Sequence, residues 1–334
     1  MPENAAALRH RLTQLGLNPA AIDAAWPKWW SAEAEDSTSA RVELRFSLAR
    51  NLGLDPRTLL DETQAPRFVW HEQARFKHLR RETGHQLDAI TSFGRAVAAL
   101  LISGTEGNRV SGVSAATLRR MILQNGRPYV ALGDVLVLCW SMGVPVAHLR
   151  VFPLRQKRMA AMSVRVNDRF AVLLAKDSRY PAELAFFLAH ELGHIWLGHL
   201  EKEPVVIDFE QDSPTLEVDD TEEQAADAFA LELLTGEPSP TVLPKDPKYR
   251  ARDLALRAVR SGPELGIEPG VLVMCFGYST KDWTGAYAAL RFVYRDSEPV
   301  WSQVNRAAWL QLKRSEIPSE GLDYLQLVLG LSEE

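Results

Sequence analysis

The sequence predicts a predominantly helical α+β fold: a helical front region, a central region built on a small sheet, and a helical tail. Three observations predict it. Apolar residues recur at helical spacing over much of the chain. One stretch, about 144–175, reads as short strands broken by turn residues. The segments after it carry helix start and stop signals. With 334 residues, 46% hydrophobic and 24% charged, the chain is an ordinary globular one, not a disordered or collagen-like one. Residues 1–127, 128–245 and 246–334 are the expected front, central and tail units.

The charge is unevenly divided. Residues 1–160 hold 21 Lys and Arg against 14 Asp and Glu, a net of +7; residues 161–334 hold 17 against 29, a net of −12. A basic front half of this kind often meets polyanions. Cys139 and Cys275 are too few for a disulfide framework and fit a reducing compartment. The first dozen residues show no secretory pattern, and no apolar run approaches the ~20 residues that span a bilayer. A cytoplasmic protein without a membrane partner is expected.

In the front region, Ser39 to Asn51 reads as a helix with Val42, Phe46 and Ala49 on its apolar face and Gly53 as its stop. The run from Ser39 to Leu60 is similar to the closing helices of a repressor-type helix-turn-helix, although Trp26-Pro27-Lys28-Trp29-Trp30 stands where the recognition helix belongs. A DNA-reading domain and a helical protein-contact domain both fit. Arg75, Lys77, Arg80 and Arg81, interleaved with Phe76, are candidate nucleic-acid contacts, with Arg119, Arg120 and Arg127 as further basic positions. The alternative for each is a solvated helix face.

The central region begins with a helix over 133–141 and a strand over 144–151. A hairpin follows, Met162–Val166 and Phe170–Ala175 about an Asn167-Asp168 turn. A long helix then starts near Ser178 or Tyr180, with Pro181 in its first turn. An acidic loop from Glu201 to Thr221 leads to a second helix, about Glu222–Leu234, stopped by Gly236 and Pro238.

The long helix carries His190-Glu191-Leu192-Gly193-His194, an HExxH pattern. Four residues on a helix put the two imidazoles about 40° apart, one turn from each other, as a shared Zn²⁺ requires. Glu191 lies beside them, where a carboxylate can act as general base. His199 is nine residues past His190, about 180° round a continuing helix, and is expected to be a surface histidine or one that supports the site without ligating. The next helix holds Glu223-Gln224-Ala225-Ala226-Asp227. Glu223 completes a His₂Glu set that leaves a fourth position open. Asp227, one turn on, can accept the N–H of a ligating histidine. Glu222 is the rival ligand, but its partner one turn on is Ala226.

HELGH followed by Glu223-x-x-Ala-Asp-x-Phe-Ala-x-x-Leu-Leu resembles the ImmA/IrrE-type (M78) metallopeptidases, a group within the gluzincins. Gly266-Ile267-Glu268-Pro269-Gly270, Asp282-Trp283 and Ala288-Ala289-Leu290 are similar to the tail of some members. The resemblance implies a zincin-like catalytic domain in which His190, His194 and Glu223 hold zinc, Glu191 is the general base and Asp227 orients a ligand. It also implies an endopeptidase that cleaves a helix-turn-helix repressor and so switches on stress or anti-phage genes, most like regulatory proteases of the CapP type. The rival classes are a non-catalytic zinc-containing DNA-binding regulator and a general peptidase.

Three further expectations concern control. The hairpin 162–175 is the candidate sheet edge for an extended substrate. Cys139, ahead of Cys275, is the candidate inhibitory ligand, because a thiolate in the open zinc position would displace the nucleophile. Single-stranded or damaged DNA bound to residues 1–127 is the expected activator.

Overall fold

The computed structural model describes residues 3–70, 75–76, 84–107, 112–156, 159–201, 204–209, 221–240, 249–295 and 298–331. The front region runs through α1 (Ala5–Gln14), α2 (Pro19–Ala25), α3 (Thr38–Leu52), α4 (Pro56–Leu60), β1 (Arg75–Phe76), α5 (Gly84–Ser103) and α6 (Ala115–Gln124). The middle holds α7 (Leu132–Ser141), β2 (Val146–His148), β3 (Met159–Val166), β4 (Arg169–Leu174), α8 (Pro181–Trp196), β5 (Val205–Phe209) and α9 (Thr221–Thr235). The tail is α10 (Ala251–Leu265), α11 (Pro269–Thr280), α12 (Trp283–Val293), α13 (Val300–Gln311) and α14 (Ser319–Leu329). The fold is thus predominantly helical α+β, with one small mixed sheet among the described residues.

Local chemistry sets the helix ends. Asn4, Asn18, Ser37, Asp55 and Ser114 each accept a first-turn backbone N–H through a side-chain oxygen, satisfying donors the helix leaves open. Gly53 ends α3 as expected, in the left-handed conformation at φ 68. A Cβ there would lie 2.4 Å from the Ser92 carbonyl oxygen, so the same glycine lets α3 approach α5.

The strand order is β1-β5-β3-β4-β2. β3 is antiparallel to both β4 and β5, while β1 and β2 run parallel to β5 and β4. Period-two alternation divides the sheet into two buried faces. Met162, Val164, Ala171, Leu173, Val205 and Ile207 join a core with α5, the front helices and α14. Ala161, Val172, Leu174 and Val206 join a second core with α7 to α12. The strands are therefore apolar on both sides, as a sheet covered on both faces must be.

The hairpin appears as read, with Asn167 taking φ 55 at its turn, but it is not an edge. β3 lies between β4 and β5, and β4 between β3 and β2, so both have their hydrogen bonds filled. The β2 side is also occupied. Buried Asn305 on α13 accepts the His148 N–H at 2.7 Å and donates to the His148 and Leu329 carbonyls at 2.8 and 2.7 Å.

Three more expectations are corrected. Ala49 is buried as expected, but Val42 and Phe46 are exposed; α3 buries Leu44, Leu48 and Leu52 in their place, because that face meets α2 and α5. Residues Trp26–Trp30 lie between helices and form a cluster of edge-on indoles. Trp29 donates its indole N–H to Glu320 of α14, which also takes Ser47 and Arg50, so this segment ties the front helices to the tail. Finally, the connection after α8 is not all loop. Val205–Phe209 forms β5, because Val-Val-Ile is a strand sequence and β3 offers it a free side. Among the described residues no helix is long and apolar enough to cross a membrane.

Candidate metal centre

The centre lies where α8 crosses α9 above the sheet. Helix α8 begins at Tyr180 with Pro181 in its first position, where no backbone N–H is needed. The Ser178 hydroxyl accepts the Tyr180 N–H and lies against Glu183 of the first turn, where a carboxylate suits the helix dipole. Leu184, Leu188 and Leu192 are fully buried, each worth roughly 2–5 kcal/mol by the usual cost of truncation to alanine. That packing holds His190, Glu191 and His194 in the interior, all at most 5% exposed.

Helix α9 is set by a close crossing. A Cβ on Gly193 would lie 3.2 Å from both Cα and O of Ala226, so the glycine of HELGH lets the two backbones meet. Glycine costs about 1 kcal/mol in a helix relative to alanine, and the close approach is what offsets it. Gly193→Val is expected to push α9 away and weaken zinc binding by about tenfold or more, measured by competition with a chelator, although valine is the better helix former.

The crossing brings His190, His194 and Glu223 together as a group of mutually adjacent metal-ligand donors. His190 Nε2 and His194 Nε2 are 3.0 Å apart. The Glu223 carboxylate oxygens lie 3.4 Å from each of these nitrogens. Zinc bonds of about 2.0–2.1 Å would put tetrahedral ligand atoms about 3.3–3.4 Å apart, so the three donors fit one ion. The ring tautomers agree. His190 Nδ1 is 2.8 Å from Asp227 Oδ1, and since a carboxylate only accepts, Nδ1 carries the proton. Nε2 is then the nitrogen that faces the second histidine and is left to bind a metal. His194 Nδ1 meets His199 Nδ1 at 2.7 Å, which turns its Nε2 the same way. Asp227 and His199 thus each hold one of the two rings from outside the donor group. Glu222 is not in the donor group.

The electrostatics favour a cation. Burial by itself lowers the His190 pKa, but Asp208, Asp227 and Glu223 outweigh it and hold it well above the usual histidine value. Glu191 is fully buried beside the histidines, and its Oε2 accepts the hydroxyl proton of Ser163 on β3.

Two of these residues were not found by sequence reasoning. Ser163 sits on a strand, where nothing in its local sequence marks it. Asp208 was counted within an acidic loop; its Oδ2 lies 3.3 Å from His190 Nε2. Its signal was the preceding Val205-Val206-Ile207, which makes a strand and places Asp208 on the face of Val206.

The structure does not bring the cysteines to the centre. Cys139 is fully buried in apolar surroundings that include Val130, Val135 and Val144. Burial pushes both its thiol and that of Cys275 up to about 12, so the thiolate that zinc needs is disfavoured at either position. Neither cysteine belongs to the donor group among the described residues. Of the candidate nucleic-acid contacts, Lys77, Arg80 and Arg81 lie outside the described residues, as does the Arg75 side chain. Arg119 is corrected: it is buried and donates to the carbonyls of Leu233, Leu234 and Gly266, closing the ends of α9 and α10. Arg127 pairs with Asp134.

Comparison with curated proteins and with solved structures gives no match. A family model does match: the IrrE N-terminal-like domain of the M78 peptidases fits residues 146–257. That span holds β2 to β5, α8, α9 and all three candidate ligands, together with Glu191, Asp208 and Asp227. Residues 146–257, about a third of the chain, are thus similar to the IrrE N-terminal-like domain of the M78 peptidases.

Proposed function

We propose that the chain is a zinc-dependent endopeptidase that cuts a partner helix-turn-helix repressor and so releases stress or anti-phage genes from repression. The observation that carries the catalytic part is the His190, His194 and Glu223 trio, its donor atoms 3.0–3.4 Å apart, with Glu191 next to it, inside an M78-type domain. Zinc held there supplies a Lewis acid that polarises the scissile carbonyl and lowers the pKa of a coordinated water to about 7. Glu191 takes the proton of the attacking water and returns it to the leaving amine. Ser163 holds that carboxylate through its hydroxyl, and the apolar walls of α8 keep bulk water from it. Asp227 and His199 fix the two imidazole rings.

Charge supports the choice of substrate. The half of the chain that contains the centre carries a net −12, which suits a basic, DNA-binding protein. The front half carries a net +7 and is the proposed site of DNA activation.

The test mixes the zinc-loaded full chain with the helix-turn-helix protein encoded next to it, with and without single-stranded DNA. One defined cut, lost on chelation and stimulated by DNA, is the expected result. Zinc binding without any cut would favour a non-catalytic regulator, and broad digestion of unrelated peptides would favour a general peptidase. Full activity without nucleic acid would remove DNA as the activator.

A further inference from the structure

A further carboxylate lies beside the donor group, from the sheet and not from a helix, and contacts it through His190. β5 pairs with β3 so that Asp208 stands opposite Ala161 and Val206 opposite Ser163. Both Val206 and Asp208 therefore face α8, while Val205, Ile207 and Phe209 face the other core. Asp208 is 9% exposed, and its Oδ2 lies 3.3 Å from His190 Nε2. That nitrogen is the metal-facing one, because Nδ1 is engaged by Asp227. The distance matches the 3.4 Å that separates Glu223 from each histidine.

Asp208 is not equivalent to the other three. The mutually adjacent donors are His190, His194 and Glu223, and Asp208 approaches them from the His190 side. We propose that Asp208 is a displaceable fourth ligand, a carboxylate that closes the open coordination position in the resting protein. This rests on the metal-centre reading above.

Three arguments favour it. A carboxylate oxygen is an ordinary zinc ligand, and a His₂Glu set leaves one position for it. Removing a carboxylate from water costs several kcal/mol, which a dication beside it offsets. Its support also differs from that of the trio. The fixed ligands stand on α8 and α9, locked by the Gly193–Ala226 crossing, whereas Asp208 stands on a strand across from them. Turning the Asp208 side chain away leaves the other three donors in place. The internal ligand expected of a cysteine is thus supplied by a carboxylate, while both cysteines stay in apolar packing.

The experiment compares the full chain with Asp208→Asn and Asp208→Ala. Each is stripped of metal and reloaded with Zn²⁺ or Co²⁺, and folding is checked by thermal melting. Zn²⁺ affinity is read by competition with a chromogenic chelator, and coordination by the visible d–d bands of the Co²⁺ form. Both substitutions are expected to weaken Zn²⁺ binding by about tenfold and to change the Co²⁺ bands. Asp208→Asn keeps the shape of the side chain, so a change there cannot be assigned to lost packing. Unchanged affinity and bands in both variants would overturn the proposal. So would weaker affinity with unchanged bands, which would make Asp208 a neighbouring charge and not a ligand. If the unsubstituted chain takes up neither metal, the metal-centre reading itself fails; if it binds both and the variants match it, only the role of Asp208 fails.

Discussion

Glu191→Gln is expected to lower peptide cleavage by about 10²–10⁴-fold while leaving zinc content and folding intact. The substitution keeps the shape of the side chain and removes its basicity. Glutamine can still accept the Ser163 hydroxyl proton, so the contact that places the side chain persists. Glu191 is not among the mutually adjacent ligand donors, which is why metal binding should survive. Rates of repressor cleavage by the two proteins, normalised to zinc content, check this. A variant that retained more than about a tenth of the activity would remove Glu191 from the role of base.

Glu223→Ala is the second large effect. Loss of an outer partner of a ligand commonly costs about 10–100-fold in metal affinity, and loss of a ligand exceeds that. The same change leaves the buried nitrogens of His190 and His194 facing each other without the carboxylate that lies 3.4 Å from each. Zinc should then no longer stabilise the fold. At a hundredfold excess over its dissociation constant a ligand contributes about 2.7 kcal/mol, a shift readily seen in a melting curve. The expected result is a zinc-dependent rise in melting temperature for the unsubstituted chain and none for Glu223→Ala at the same concentration. An equal rise in both would place the ion elsewhere.

The centre was legible because its main parts are local. His190 and His194, and likewise Glu223 and Asp227, are spaced one helical turn apart, so each pair is visible within five residues of sequence. Their mutual approach depends on small residues at the crossing, Gly193 on one helix and Ala226 on the other. What could not be read came from strand pairing. Ser163 and Asp208 act through the register of β3 with β5, which joins residues more than 40 positions apart. The edge position of a hairpin likewise depends on which later strands add to it, and β5 adds to β3. On α3, helical periodicity allowed more than one apolar face, and tertiary contact with α2 and α5 chose the one centred on Leu44 and Leu48. Basic residues were the least informative. Arg119 reads as a surface charge yet is buried as a cap for two helix ends.

The central claim is that one zinc ion sits between His190, His194 and Glu223. An anomalous difference map at the zinc absorption edge, from crystals of the full chain, tests it most directly. The predicted result is a single strong peak about 2.0–2.1 Å from Nε2 of both histidines and from a Glu223 carboxylate oxygen. A map from zinc-loaded crystals with no peak between these three side chains, or with its main peak elsewhere, would contradict the account.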